Sequence, residues 1–202
     1  MSEPNVKGDT SPRPVSRTLG DSVDEMAARR PAAEAIVFRD ERLDCAAVNG
    51  DCIGGGLELL LSTDIRAAVP EARFGLPEVK WSIYPFGGAT IKLIQQIGYV
   101  HAMDLLLTAR LIHAEQAVRL GLVNRLVPRD ELMRWAIETA EMIAANSPSA
   151  VQAVKRQVSA TIVGHALTRE AFEQELGDAV RASPHFAEGI AAFREKRLPR
   201  YE

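Results

Sequence analysis

The stretch AAVNGDCIGGGLELLLSTDIRAAVPEARFGLPEV, residues 46–79, decides the fold. It begins with a short apolar segment at 46–48, which predicts a strand, followed by the turn signal Asn-Gly at 49–50. Three consecutive glycines at 54–56 then lead into a leucine-rich segment that predicts a buried helix. A second strand is predicted over residues 65–69, so the stretch alternates short strands with one helix.

The chain downstream of this stretch is mostly helical. A brief strand is predicted at 73–74, and Pro77 is suited to a first helical position, which puts Glu78 in a first helical turn. Gly121 fits a left-handed helix cap. The periodicity predicts helices over 90–97, 102–108, 114–120, 131–145 and 148–163, two more that open at Thr168 and at Ser183-Pro184, and a strand over 123–127. We expect Phe186, Ile190 and Phe193 to form the apolar face of the last helix.

The residues upstream of Cys45 differ from the rest of the chain in composition and sequence pattern. Residues 1–18 are polar with prolines and predict a disordered tail. Apolar positions at helical spacing predict a helix over 19–30, and AIVFRDERLD at 35–44 predicts a hairpin.

Composition excludes several classes of protein. The 202 residues carry 24 Lys and Arg against 27 Asp and Glu, a net charge of −3, which argues against nucleic acid or an anionic membrane surface as a partner. Cys45 and Cys52 lack the spacing and neighbours of a disulfide framework or a zinc site, so we expect no metal and a reducing cytoplasm. We find neither a membrane span nor a signal peptide in the sequence.

The glycine run and two carboxylates are the candidates for chemistry. Backbone N–H groups at a glycine turn before a helix suit a developing oxyanion, although a tight packing turn is the commoner reason for such glycines. Glu58 lies in an almost wholly apolar helix, where a carboxylate is costly to bury. Either Glu58 or Glu78 alone is explained by the helix dipole. Together, beside an oxyanion site, they suggest a general acid and base.

The four histidines, His101, His113, His165 and His185, are scattered in helices or their caps and are interpreted as structural. The sequence contains no GxSxG, HExxH, CxxC or GxGxxG motif and no P-loop. This argues against the corresponding hydrolase, metalloprotease, redox and nucleotide-binding classes.

Residues 46–79 closely resemble the core signature of the crotonase (enoyl-CoA hydratase/isomerase) superfamily. The resemblance continues through PFGGATIKLIQQIGYVHAMDLLLTARLIHAEQAVRLGLVNRLVP at 85–128 to AFREKRLPRY at 192–201. It implies an α/β fold with a crotonase-like ββα superhelix, followed by a helical C-terminal region. It also implies an acyl-CoA substrate, no separate cofactor, and a homo-oligomer, either a trimer or a dimer of trimers.

The resemblance also implies roles for particular residues. Gly55 matches the position whose N–H binds the thioester oxygen, and Glu58 and Glu78 match the catalytic glutamates of hydratases, which act on water and on the proton at the α-carbon. Having both carboxylates favours hydration over the other reactions of the superfamily. Phe193 and Lys196 match the segment that approaches coenzyme A, with a core aromatic and a solvated lysine as the alternative reading.

The upstream segment departs from the superfamily pattern. Nothing matches the family's Ala-Gly-Ala-Asp-like loop, which supplies a second oxyanion N–H, whereas residues 18–47 resemble the start of an adenylate-forming acyl-CoA ligase without its phosphate loop. The hypothesis is a fusion or deletion near Cys45. It divides the chain into a tail at 1–18, a ligase-like fragment at 19–45, a crotonase core lacking its N-terminal turns at 46–145, and a trimerisation-type helical region at 146–202.

Two functions remain open at this point. One is a hydratase of 2-enoyl-CoA in fatty acid metabolism, whose activity is impaired if the N-terminal part is lacking, because one missing oxyanion donor costs about 10²–10³ in rate. The other is a catalytically incomplete remnant that only binds acyl-CoA or co-assembles with intact crotonase subunits.

Overall fold

The computed structural model describes residues 35–36, 45–167 and 169–201. The strands in these residues are β1 (Ala35–Ile36), β2 (Cys45–Val48), β3 (Cys52–Ile53), β4 (Ile65–Ala68), β5 (Arg73–Gly75), β6 (Ile112–His113) and β7 (Arg125–Leu126). The α-helices are α1 (Gly55–Leu60), α2 (Ala89–Ile97), α3 (Tyr99–Thr108), α4 (Ala114–Arg119), α5 (Leu132–Ala144), α6 (Pro148–Leu167), α7 (Glu170–Ala182) and α8 (Pro184–Glu195). A 3-10 helix covers Pro77–Trp81.

The strands form two small sheets. The first has the order β1-β2-β4-β7, in which β2 is parallel to β4 and β4 to β7, while β1 is antiparallel to β2. The second has the order β3-β5-β6, with β3 parallel to β5 and β6 antiparallel to β5. The glycine segment at 54–56 directly follows β3 of the second sheet.

The strand predictions are confirmed for β2, β4 and β5, and β7 is shorter than predicted. Strands β3 and β6 were missed because a two-residue strand is too short to show a periodic pattern. The first strand of the predicted hairpin, β1, pairs antiparallel with β2, with Ala35 opposite Ala47. The predicted turn lies outside the described residues. The expected tail and the helix over 19–30 also lie outside them.

The helix predictions are confirmed in type, with shifted ends. Helix α6 continues to Leu167, past the predicted end at residue 163. Residue Thr168 lies outside the described part, and α7 begins at Glu170. Gly121 has the predicted left-handed conformation, with φ of 78°.

The core forms where small residues let the parallel strands approach the helices. Ala46 of β2 and both Ala67 and Ala68 of β4 are fully buried, and Leu57 and Leu60 of α1 lie in the same cluster. This burial confirms that α1 is a core helix. Its first turn nevertheless reaches the surface, since Gly55 is exposed.

One buried cation ties the first sheet to the helices. The guanidinium of Arg66 on β4 donates to Thr63 Oγ1 (3.1 Å), to the Thr63 carbonyl (2.6 Å), to Gln96 Oε1 (2.8 Å) and to the Leu122 carbonyl (3.1 Å). Burial lowers the pKa of Arg66 to about 10, so it remains charged at neutral pH. These bonds satisfy a charge that is costly to bury without partners.

The C-terminal helix α8 packs on the 3-10 helix through small residues. Gly189 and Ala192 are its buried positions, whereas Phe193 is 61% exposed, so the predicted apolar face is wrong in that residue. The cause is close approach: a Cβ on Gly189 would overlap the carbonyl oxygen of Trp81. The hydroxyl of Tyr201 adds a hydrogen bond to the Lys80 carbonyl at 2.8 Å.

No helix within the described ranges combines the length and hydrophobicity that crossing a membrane requires.

We predict that Gly189→Ala lowers the free energy of unfolding by about 1–3 kcal/mol, because the added methyl group meets a backbone carbonyl that cannot rotate away. Helix propensity alone predicts the opposite sign, a gain of about 1 kcal/mol. Urea unfolding measures the change. The control is Gly50→Ala, where an added Cβ meets nothing within 4 Å. A Gly189→Ala variant as stable as the parent would contradict this packing.

Candidate active site

The site is built on the turn that begins α1. Gly54 has φ of 59° and ψ of −126°, a conformation open to glycine and costly for other residues. Its N–H donates to the Gly75 carbonyl at 2.9 Å, which fixes the turn against β5. The next residue, Gly55, is the first of α1, so its N–H has no acceptor within the helix. This is the predicted oxyanion donor, and the structure leaves its residue exposed.

The carboxylate of Glu58 reaches back across this turn. Its Oε1 accepts the N–H of Phe86 at 2.8 Å, and its Oε2 lies 3.9 Å from the place that a Cβ on Gly55 would take. Partial burial raises the pKa of Glu58, and the charge of Glu173 raises it further. The Phe86 N–H and the charge of Lys92 act in the opposite direction.

The carboxylate of Glu78 approaches the same turn from the 3-10 helix. Its Oε1 lies 3.1 Å from the place that a Cβ on Gly54 would take. Its Oε2 is buried and has no hydrogen-bond partner in the described part of the chain. Burial raises the pKa of Glu78, and the charge of Glu58 raises it further, against the effect of its own backbone N–H.

The structure therefore brings together three of the predicted site residues: Gly55, Glu58 and Glu78. The two carboxylates lie against successive glycines, and the charge of Glu58 disfavours ionisation of Glu78. Because such an interaction is reciprocal, the charge of Glu78 disfavours ionisation of Glu58 as well. One protonated and one ionised carboxyl at neighbouring positions is the arrangement that general acid and base chemistry needs. The unpartnered Oε2 of Glu78 leaves an acceptor for a substrate or a water molecule.

The two residues predicted to approach coenzyme A lie at the end of α8. The ring of Phe193 contacts Trp81 edge to face, with centroids 5.2 Å apart, and Lys196 caps the helix in a left-handed conformation with φ of 54°. Trp81 ends the 3-10 helix that carries Glu78, so this aromatic pair adds to the contacts that join α8 to the site. Contact with coenzyme A stays a prediction.

Sequence reasoning missed Phe86, Lys92 and Glu173. The role of Phe86 depends on its backbone N–H, which leaves no mark in the choice of side chain. Lys92 and Glu173 belong to amphipathic helices, in which a charged residue is ordinarily assigned to the solvated face.

The structure gives the exposure of three of the four histidines and of both cysteines, and their structural reading stays a prediction. His101, His113 and His185 are exposed. In the described part of the chain, no group of three or more His, Cys, Asp or Glu side chains is arranged to hold a metal ion. Cys45 and Cys52 are buried and form no disulfide.

The family of the chain follows from comparison of its sequence and fold with known proteins. The sequence profile of the enoyl-CoA hydratase/isomerase family matches residues 39–202. The chain belongs to this family, and its α/β core with a helical C-terminal region is the crotonase fold.

Particular relatives define the similarity more closely. The chain is 43% identical over 157 residues to the enoyl-CoA hydratase EchA19 of Mycobacterium tuberculosis, covering 78% of this chain and 59% of that protein. It is 34% identical to the 2,3-dehydroadipyl-CoA hydratase of Escherichia coli, covering 93% of this chain and 71% of that protein. The crystal structure of a carnitinyl-CoA hydratase from Mycobacterium avium superposes with a TM-score of 0.77 at 34% identity, over 81% of this chain and 64% of that one.

These alignments bear on the length and on the upstream segment. The chain spans about three-fifths of the length of the first mycobacterial relatives that it matches. The family profile begins at residue 39, and the Escherichia coli alignment covers 93% of the chain, so similarity to the family extends upstream of Cys45. The predicted resemblance of residues 18–47 to an acyl-CoA ligase gains no support from these matches.

We predict that Glu78→Gln raises the free energy of unfolding at neutral pH and that this gain shrinks as the pH falls. Burial raises the pKa of Glu78 in the folded chain above its pKa in the unfolded chain. At a pH between these two values, the folded chain therefore binds more protons than the unfolded chain. Stability contributed by this residue therefore falls as pH rises through that window, and Gln abolishes the loss.

Urea unfolding of parent and variant from neutral to acidic pH measures this difference. Glu115→Gln is the control, since Glu115 is exposed on α4. A gap between Glu78→Gln and the parent that does not change with pH would contradict the buried, ionisable carboxyl.

Proposed function

We propose that the chain catalyses the reversible addition of water to the double bond of a 2-enoyl-CoA thioester. The observation that carries the proposal is the placing of the Glu58 and Glu78 carboxylates against the glycine turn that exposes Gly55. Family membership and the hydratase names of the relatives support the same chemistry.

In this reaction one carboxylate takes a proton from water while the hydroxyl oxygen bonds to the β-carbon. The electron pair of the double bond moves toward the α-carbon and the thioester oxygen, where the N–H of Gly55 stabilises the negative charge. The other carboxyl, in its protonated form, gives a proton to the α-carbon. The raised pKa of each carboxyl keeps a protonated partner available closer to neutral pH than an exposed glutamate would.

The substrate's coenzyme A is proposed to pass the end of α8. Phe193 is exposed although its ring contacts Trp81, and Lys196 supplies a positive charge beside it for a phosphate group. A homo-oligomer is a further proposal that rests on the family resemblance, and a cytoplasmic location is one that rests on the cysteine pattern.

A second function stays open because nothing in the sequence matches the family's Ala-Gly-Ala-Asp-like loop, which supplies a second oxyanion N–H. A chain with an incomplete site retains the acyl-CoA surface without efficient turnover, because substrate positioning contributes as much as the catalytic groups. Such a protein binds acyl-CoA or assembles with complete subunits.

Hydration of crotonyl-CoA by the purified chain tests the proposal. We predict that Glu58→Gln and Glu78→Gln each lower kcat by about 10²–10⁴-fold, because each removes a proton-transfer group. Glu115→Gln on α4 is the matched control and is expected to keep the parent rate. Unchanged rates in both site variants would contradict the assigned roles, and crotonyl-CoA binding by calorimetry without turnover would favour the second function.

A further inference from the structure

The loop at residues 85–88 is held by carboxylates at two of its N–H groups. Glu58 accepts the N–H of Phe86 at 2.8 Å, and Glu173 of α7 accepts the N–H of Gly88 at 3.0 Å through Oε1 and 3.3 Å through Oε2. Gly87 between them has φ of 69°, and a Cβ there would lie 3.8 Å from the Cβ of Glu58. The loop thus joins Glu58 to a carboxylate that is 85 residues from Gly88 in the sequence.

Helix α7 holds this loop with one face. Residues Glu173, Gly177 and Arg181 are spaced by four and share that face. Gly177 is buried against the Phe86 ring, which a Cβ at this position would overlap, and the Arg181 guanidinium lies 5.2 Å from the centroid of the same ring. Packing therefore sets how closely α7 approaches the loop. Glu173 is directed at Gly88 because it lies on the same face of α7.

Three charged groups face Glu58 from three different elements. Glu78 comes from the 3-10 helix, Lys92 from α2 and Glu173 from α7. The two carboxylates favour the protonated form of Glu58, and the ammonium of Lys92, which donates to Ser62 Oγ at 2.9 Å, favours the ionised form. Glu173 also favours the charged form of Lys92.

We propose that Glu173 is a positioning residue of this site, which fixes the carboxylate of Glu58 through the Gly88 amide and the loop that joins them. The inference rests on the proposed function only in taking Glu58 as a catalytic group. Glu173 itself is not placed at the reacting atoms. The hydrogen bond between Glu173 and the Gly88 N–H orients Glu58. The negative charge of Glu173 raises the pH at which Glu58 ionises.

Two substitutions separate the hydrogen bond from the charge. Glu173→Gln retains a carbonyl oxygen that accepts from Gly88 and removes the charge, whereas Glu173→Ala removes both. Glu175→Gln is the matched control, because Glu175 lies on the same helix and is exposed.

The amides of Phe86 and Gly88 report both effects without any substrate. The Phe86 amide resonance follows the ionisation of the carboxylate that it contacts, and exchange of the Gly88 amide with solvent reports its hydrogen bond. In Glu173→Gln we expect the titration midpoint of the Phe86 amide resonance to move to lower pH, while the Gly88 amide stays protected from exchange with solvent. In Glu173→Ala we expect Gly88 to lose protection as well. A Phe86 midpoint that is the same in Glu173→Gln, in Glu175→Gln and in the parent overturns the proposal.

Crotonyl-CoA hydration supplies the second readout. We expect Glu173→Ala to lower kcat by about 10- to 100-fold with little change in KM, the effect of a misplaced catalytic group. We expect Glu173→Gln to remain within about threefold of the parent at its own optimum, with the pH profile moved to lower pH. An Ala variant with the parent's kcat overturns the positioning role. If the parent itself does not hydrate crotonyl-CoA, the proposed function fails, and the amide titration still decides the role of Glu173.

Discussion

The backbone conformation of Gly54 is the constraint on which the rest of the site depends. With φ of 59° and the Glu78 carboxylate 3.1 Å from where a Cβ would be, this position suits glycine sterically and conformationally. The turn lets α1 start directly after β3, with the Gly55 N–H outside the helical bonding pattern. Placing a second carboxylate, Glu58, one turn into that helix then brings two acidic groups to one surface of the turn.

Keeping two carboxylates in one partly buried place is unfavourable unless the surrounding structure fixes them. The bonds from Phe86 to Glu58 and from Gly88 to Glu173 hold one side, and the packing of Gly189 against Trp81 holds the 3-10 helix on the other. Glu173 and Gly189, which contribute to these supports, both come from the C-terminal helices. The helical region is therefore part of the site's architecture in a single chain, in addition to the trimerisation-type role that the family resemblance suggested.

The sequence was informative where chemistry depends on side-chain identity and short-range pattern. The glycine run and Glu58 were recognisable because consecutive glycines and an acid are unusual choices before and within an apolar helix. Glu78 became a candidate through its pairing with Glu58 and through the family resemblance. Glu173 was not recognisable, because its partner is a backbone N–H 85 residues away and its own helix looks solvated. The two-residue strands β3 and β6 escaped for a similar reason: their stability comes from pairing with β5 rather than from their own residues. The buried face of α8 was misjudged since close approach favoured Gly189 over Phe193.

The two carboxyls influence each other's ionisation across one turn, and the titration of each carboxyl measures that influence. Carboxyl-labelled glutamate followed by ¹³C NMR, with resonances assigned from Glu58→Gln and Glu78→Gln, gives the pKa of each group. We expect both pKa values to be above that of an exposed glutamate and expect removal of either charge to lower the pKa of the other. Two ordinary pKa values that do not respond to each other's substitution would contradict this expectation.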